Sequence, residues 1–584
     1  MDGSLRSTLR LLLLFGAGVL STAVLLAVGA TQAGSAPAGK PSPRFTEAVA
    51  YDVSKPLRVL AKTEKASARQ KDVRLSPERG AAVKDTGFSG DAAVQATSPA
   101  AAATIGGTIA NFEGLGQQDN FNVLARRVNP PDPVGDVGPN HYVEMVNLTF
   151  AVYSKTGTRL LGPVDLGALW ANFPIEDCTD ESGDPIVLYD QTTNRWLLTQ
   201  FTTRGLNPAT PTAPFYNCIA VSQTGDPTGA YFRYAFITQP DAEDGGFFFP
   251  DYPKYGVWRD SYIMTTRDFG FDDRYGISVY GLEKNKMVDG NPNARAVQFF
   301  LEDRAVPLNL IGDGLLPPDL DGNTKPKNAA PAPIVGTQDD GGGYGATFDA
   351  LNIWEFDVKW RSTPVASIVL KTQLPVASFD SIFPCAPTAR DCLPQPGITN
   401  PDQFLDILSY RQRPIWRLAY RNKGAFETMV TNQSVEALPG LGGTRWYEIR
   451  RTGGTYSVHQ QGTYALPGVH NWMGSIAADK NGNMALGYSV VNGVDVFPGI
   501  RYTGRLAGDP PGQMTLGEGT VISGTAAQAS LNSRWGDYTS LNVDPVDDCT
   551  FWYVNEYYTV EGAALAPLGN GWQTRIASFK LPGC

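Results

Sequence analysis

The stretch RWGDYTSLNVDPVDDCTFWYVNEYY (534–558) decides how the chain folds. It alternates apolar and polar residues, breaks at the Asp/Pro cluster DPVDD, and returns through an aromatic run. That is the pattern of two short strands around a turn. SGDPIVLYDQTTNRWLLTQF (182–201) and FPDYPKYGVWRDSYIMTTRDF (249–269) share the outline. Each places an acidic residue ahead of the first strand. A chain that writes one hairpin several times is built from repeats.

Further copies are GDVGPNHYVEMVN (135–147), PAPIVGTQDDGGGYGATFDA (331–350), WRLAYRNKGAFETMVTN (416–432) and WMGSIAADKNGNMALGYSV (472–490). After the seven hairpins come TFAVYSK, CIAVSQT, GISVYGL, NIWEFDV, RWYEIRR, GIRYTGR and TRIASFK, each a second short alternation. The two series interleave, so the unit is a four-stranded meander repeated seven times. One meander cannot bury both faces, but meanders packed radially can, and closure also protects strand edges. The expected fold is all-β: a seven-bladed β-propeller over residues 106–584. Six- and eight-bladed closures are the alternatives, and a pair of β-sandwich domains is the competing fold.

Composition agrees. With 62 Gly, 43 Pro and 42% apolar residues, the chain is rich in turns yet can fill a large core. A net charge of −10 argues against general nucleic-acid binding, which needs a basic face. Residues 1–33 read as a signal peptide: Arg6 and Arg10, an apolar run from Leu11 to Val28, then the small residues GATQAGSA. An uncleaved anchor is the alternative, because the run nears spanning length. Residues 34–105, rich in Ala, Pro and Ser, read as a low-complexity linker or pro-segment. The protein is expected to be secreted, monomeric and free of a membrane span once cleaved. Its six cysteines are expected to pair by neighbourhood, as Cys178–Cys218, Cys385–Cys392 and Cys549–Cys584.

The runs PPDPVGDVGPNHYVEMVNLTFAVYSKTG, DPIVLYDQTTNRWLLTQF, FPDYPKYGVW, HNWMGSIAADKNGNMALGYS, IRYTGRLAGDP and RWGDYTSLNVDPVDDCTFWYVNEYY resemble a family of secreted bacterial proteins of unassigned function. The resemblance spans roughly residues 110–584. It implies a class and an extracellular location, and it carries no catalytic residues. Sialidase-type propellers are a more distant likeness, being secreted and acidic.

In a propeller the loop entering each first strand sits at a mouth of the central channel. Asp136, Asp184, Asp251 and Asp537 stand at or near that place in four units, and Trp472, preceded by His470, stands there in another. Four carboxylates around one opening repel unless a positive group sits among them. A Ca²⁺ ion would serve, since hard cations take oxygen ligands, and so would Arg417 or Arg534. The structural alternative is that each Asp accepts backbone N–H bonds in its own turn.

Two functions follow. The first is a binding or scaffold module for an extracellular glycan or surface polymer, with Arg417, Trp472, Arg534, Trp535 and Tyr538 as ligand contacts. The second is a carbohydrate-active hydrolase or lyase, with the four aspartates and His470 as the candidate catalytic groups. A binding module predicts an exposed aromatic surface. An enzyme predicts convergent ionisable groups with perturbed proton affinities. No motif for a nucleotide, flavin or zinc is present.

Overall fold

The computed structural model describes residues 41–62, 88–95, 104–206, 214–238, 240, 246–270, 274–382, 391–407, 412–530, 533–565 and 571–584. The expected signal peptide and Cys385, and with it the expected Cys385–Cys392 pairing, fall outside this set. All described residues belong to one unit, Gly39–Cys584.

The fold is all-β and propeller-like. Seven sheets of three strands or more follow one another, each a meander of consecutive antiparallel strands. The first is Val134–Val137, His141–Val146, Thr149–Ser154 and Arg159–Asp165. The second is Val187–Asp190, Arg195–Phe201, Tyr216–Ser222 and Tyr231–Ile237. The third is Phe248–Val257, Ser261–Gly270, Tyr275–Glu283 and Arg295–Glu302. The fourth has Ala332–Gln338, Ala350–Lys359 and Val365–Pro375. The fifth is Ile415–Asn422, Glu427–Leu438, Leu441–Thr452 and Thr455–Tyr464, and the sixth is His470–Ala478, Met484–Val491, Gly499–Arg505 and Glu518–Ile522. The seventh, Ser540–Val543, Thr550–Tyr558 and Trp572–Lys580, takes its fourth strand from Ala110–Gly116, ahead of the first sheet. The last sheet thus joins the two ends of the repeat region.

The repeat reading matches six sheets strand for strand. In the fourth, NIWEFDV lies in the second strand rather than the third, because DDGGGYGATFD is one long turn. First strands touch in sequence: Val134–Val137 against Val187–Asp190, that strand against Phe248–Val257, then Ile415–Asn422, His470–Ala478, Ser540–Val543 and back to Val134–Val137. The fourth sheet meets this circuit through Pro318–Leu320, which runs parallel to Ile415–Asn422.

Part of the stretch expected as a linker or pro-segment is strand. Arg44–Glu47 adds to the third sheet, Ala50–Val53 to the second, and Val94–Gln95 to the fifth. An open sheet edge recruits a strand through backbone hydrogen bonds, so these segments need no apolar alternation. Arg445 and Asp91, both fully buried, pin the third segment with Nη1 2.7 Å from each carboxylate oxygen.

The cores lie between sheets. Trp196, Trp416, Trp472, Trp535 and Trp572 are fully buried there. Two expected disulfides are present, Cys178–Cys218 and Cys549–Cys584. No described helix is long and apolar enough to cross a membrane.

Candidate functional site

The four aspartates do not form one ring. Asp136 belongs to the first strand of its sheet and is buried. Its Oδ1 accepts the Val137 N–H and its Oδ2 the Tyr189 N–H of the next sheet, both at 2.7 Å. Burial pushes this carboxyl up to about 8; the Asp319 charge adds to the rise and Arg417 opposes it. Arg417 is buried too, with Nε 2.8 Å from Asp319 and its fork on Asp321. Asp319 Oδ1 accepts the Val257 N–H at 3.0 Å, and Arg417 Nη1 donates to the Leu541 carbonyl at 3.2 Å. The Asp136–Tyr189 and Arg417–Leu541 bonds link first strands of different sheets, and Asp319 ties Pro318–Leu320 to Phe248–Val257 and Ile415–Asn422. Asp136 and Arg417 therefore hold the axis together and present nothing to a ligand.

Asp184, Asp251 and Asp537 do come together, and Asp132 joins them. The Asp537 N–H donates to Asp132 Oδ1 at 2.7 Å. Asn147 bridges the first two loops: its Nδ2 donates to Asp132 Oδ2 at 2.8 Å, and its Oδ1 accepts the Asp184 N–H at 3.0 Å. The Tyr538 hydroxyl lies 3.1 Å from Asp184 Oδ2 and 3.0 Å from the Pro253 carbonyl. The Tyr252 hydroxyl donates to the Asp537 carbonyl at 3.0 Å. The buried Lys254 amine sits over the Tyr252 ring and 4.0 Å from the Tyr538 ring centroid. Arg534 Nη2 is 2.6 Å from Asp537 Oδ2, and its Nε is 3.4 Å from Asp406. Arg413 stacks 4.2 Å from the Tyr252 centroid.

These groups perturb one another. Burial, then the charges of Asp251, Asp132 and Asp537, raise Asp184 well above the carboxylate range. Burial and Asp537 push Asp132 up to about 7 against the pull of Arg534. Burial and Arg413 lower Lys254 well below an ordinary lysine. The cluster thus combines carboxyl groups of raised proton affinity with a carboxylate ion-paired to Arg534. That is the raw material of general acid–base chemistry.

Several expected site residues lie elsewhere. Trp472 and Trp535 are fully buried with ring centroids 5.0 Å apart, and Trp535 Nε1 donates to Ser489 Oγ at 3.2 Å. Strands here are covered on both faces, so an aromatic beside the mouth packs into the core. His470 Nδ1 accepts the Gly442 N–H at 3.2 Å, and burial lowers it to about 4. It fastens a strand to the fifth sheet's turn. Among the described residues the one set of three carboxylates with oxygens mutually within 4.8 Å is Asp339, Asp340 and Asp349, away from the four expected metal ligands. Arg534 pairs with Asp537, while Arg417 is taken up by Asp319 and Asp321.

Sequence reasoning missed Asp132, Lys254 and Arg413. A signal for Asp132 existed. Asp132-Pro133-Val134 and Asp184-Pro185-Ile186 are the same tripeptide with Val for Ile, so the first unit aligns on Asp132 rather than four residues later. The backbone agrees, since Asp132 (φ 47°) and Asp184 (φ 41°) are both left-handed.

No protein-family model and no curated sequence matches the chain. Solved structures similar in fold include a Hadza microbial sialidase, 10% identical at TM-score 0.34, covering 76% of this chain and 73% of the other. Another is a Trypanosoma rangeli sialidase in complex with sialic acid, 10% identical at TM-score 0.32, covering 71% and 60%. A third is an endo-arabinase from Bacteroides thetaiotaomicron, 13% identical at TM-score 0.26, covering 54% and 92%. Likeness at this level carries no argument about chemistry.

Proposed function

We propose that the chain is a secreted seven-bladed β-propeller of the bacterial family it resembles, and that it acts as a carbohydrate-active hydrolase or lyase at the mouth. The observation that carries the reading is the convergence of Asp132, Asp184, Asp251 and Asp537 with Tyr538 and Lys254, from the starts of four different sheets. Asp184, whose hold on its proton is strengthened by burial and by the charges of Asp251, Asp132 and Asp537, is the acid. Asp537, paired with Arg534, is the carboxylate that acts as base or nucleophile. Tyr538 orients Asp184. The mouth residues are polar and suit a ligand rich in hydroxyls. The scaffold reading calls for an exposed aromatic platform. Among the described residues no Trp or Tyr is among the exposed large apolar side chains, which favours the enzyme.

The test is a hydrolysis and elimination screen of the purified protein on neutral, acidic and amino polysaccharides. Reducing ends report hydrolysis and unsaturated product reports elimination. Asp184→Asn and Asp537→Asn should each lower the rate about 10²-fold or more, the usual worth of a positioned acid or base. Cleavage that both variants retain would remove the catalytic role, and glycan binding without cleavage would return the scaffold reading.

A further inference from the structure

A second opening lies away from the mouth, where the first and seventh sheets meet. It has a volume of about 400 Å³, against about 10 Å³ for the cavity beside Tyr252 and Lys254 and about 20 Å³ for one beside Trp258. That size falls within the ~300–1,000 Å³ of ligand sites. Glu113, the helix Gln117–Leu124 and Arg127 line one side, Tyr153 and Arg159 of the first sheet another, and Trp572 and Gln573 complete it.

Its charged groups balance: Glu113 and Asp119 against Arg127 and Arg159. They are also held in place. Arg159 Nη1 is 3.2 Å from Asp119 Oδ1, and Asp119 Oδ2 accepts the Gly116 N–H at 3.1 Å. Both Glu113 oxygens lie 2.7 Å from the Tyr557 hydroxyl, and Arg575 pairs with the same carboxylate. The Arg127 guanidinium stacks 4.7 Å from the Phe121 centroid, and its Nη2 donates to Gln118 Oε1 at 3.3 Å and to the Leu565 carbonyl. Its Nη1 is enclosed, with no hydrogen-bond partner among the described residues.

We propose that this cleft is a second binding site, for a neutral polyhydroxylated chain such as an oligosaccharide. A hydroxyl both donates and accepts, so one ligand can meet the cleft's guanidinium groups and its carboxylates together. With two charges of each sign, the lining gives neither an anionic nor a cationic chain a net Coulombic advantage over a neutral one. The cleft shares no residue with the mouth, so it stands whether or not the mouth is catalytic.

Calorimetric titration of the full chain tests this. The probes are xylo-, arabino-, cello- and manno-hexaose, with oligogalacturonate and a chitosan oligomer as charged controls. At least one neutral probe should bind wild type and the mouth variant Asp184→Asn equally. It should bind Arg127→Met and Gln118→Trp at least about tenfold more weakly, a loss of ~1.4 kcal/mol. Both cleft variants should keep the wild-type melting temperature; if Arg127→Met does not, Gln118→Trp decides, because it fills the cleft at the cost of the Arg127–Gln118 and Gln118–Asn122 side-chain bonds and leaves Arg127 on Leu565 and Phe121. Binding unchanged in Gln118→Trp, tighter binding of a charged control, or no binding of any neutral probe overturns the proposal.

Discussion

Asp136→Asn distinguishes architecture from chemistry at the axis, and its effect should change sign with pH. Asp136 is buried, and its carboxyl stands at about 8 in the folded chain against an ordinary 3.8. Below 3.8 both states carry the proton and the group contributes nothing to the pH dependence. Between those values the folded chain keeps the proton and the unfolded chain has lost it, so stability falls as pH rises. At about 1.4 kcal/mol per tenfold in proton binding, the full fall is on the order of 5 kcal/mol. Asn mimics the protonated form and removes the slope. It also turns an amide donor toward one of the two N–H groups, from Val137 and Tyr189, that the carboxyl oxygens accept. That mismatch costs about 1–3 kcal/mol at every pH. Asp136→Asn should therefore be less stable than wild type near pH ~4.5 and as stable or more so near pH ~8. Urea midpoints of both proteins across that range, followed by tryptophan fluorescence, read the difference directly. A wild-type-minus-variant difference that stays flat with pH would refute the reasoning, because then the carboxyl is ionised in the fold throughout.

Asp91→Ala strands the fully buried Arg445 guanidinium without its partner and should cost about 3–5 kcal/mol. A lowered urea midpoint with faster proteolysis near residues 88–95 checks it; a shift below ~1 kcal/mol would mean the pair does not hold the segment. EDTA should leave the melting temperature unchanged, because Arg534 already neutralises Asp537. A fall that Ca²⁺ reverses by mass action would reinstate a shared cation. Asp184→Gly should hold or raise the melting temperature, since φ 41° suits glycine, while abolishing turnover. Equal losses of stability and activity would make Asp184 structural.

The sheet architecture was legible because strand alternation and turn clusters are local. Six units were readable strand for strand; the fourth slipped where a glycine-rich turn, Asp339 to Asp349, separates its first two strands. The edge strands Arg44–Glu47 and Ala50–Val53 were not legible, since what orders them is an open backbone edge hundreds of residues away. Three of the four aspartates reached the mouth, and Asp136 did not. The register error behind that miss came from anchoring the first unit on GDV instead of DPV. His470, Trp472 and Trp535 failed for another reason: proximity in sequence to a channel mouth does not say which way a side chain turns, and burial on both faces turned these inward. Lys254 and Arg413 had no sequence signal, because their meaning comes from the carboxylates that loops of other sheets bring beside them.

Backbone geometry points to the mouth independently of charge. Asp132, Asp184, Tyr252, Gln412 and Met473 adopt left-handed conformations, with φ of 47°, 41°, 53°, 48° and 49°. Each lies just before, or in an irregularity within, the first strand of its sheet. Such residues cost on the order of 1–3 kcal/mol each when they are not glycine. Glycine is abundant in this chain and fills twenty left-handed or similar positions elsewhere. Retaining a side chain at these turns therefore serves something that glycine would lose. For Met473 the side chain is fully buried in the core, and for Gln412 it donates to the Gly342 carbonyl, so packing explains those two. Tyr252 lays its ring under Lys254 and Arg413. Asp132 accepts the Asp537 N–H, and the charges of Asp251, Asp132 and Asp537 bear on Asp184, which its own turn does not require. Strain and repulsion falling on the same residues are what a site kept for its chemistry looks like, and the relaxed, uncharged axis-binding role of Asp136 is what a site kept for its fold looks like.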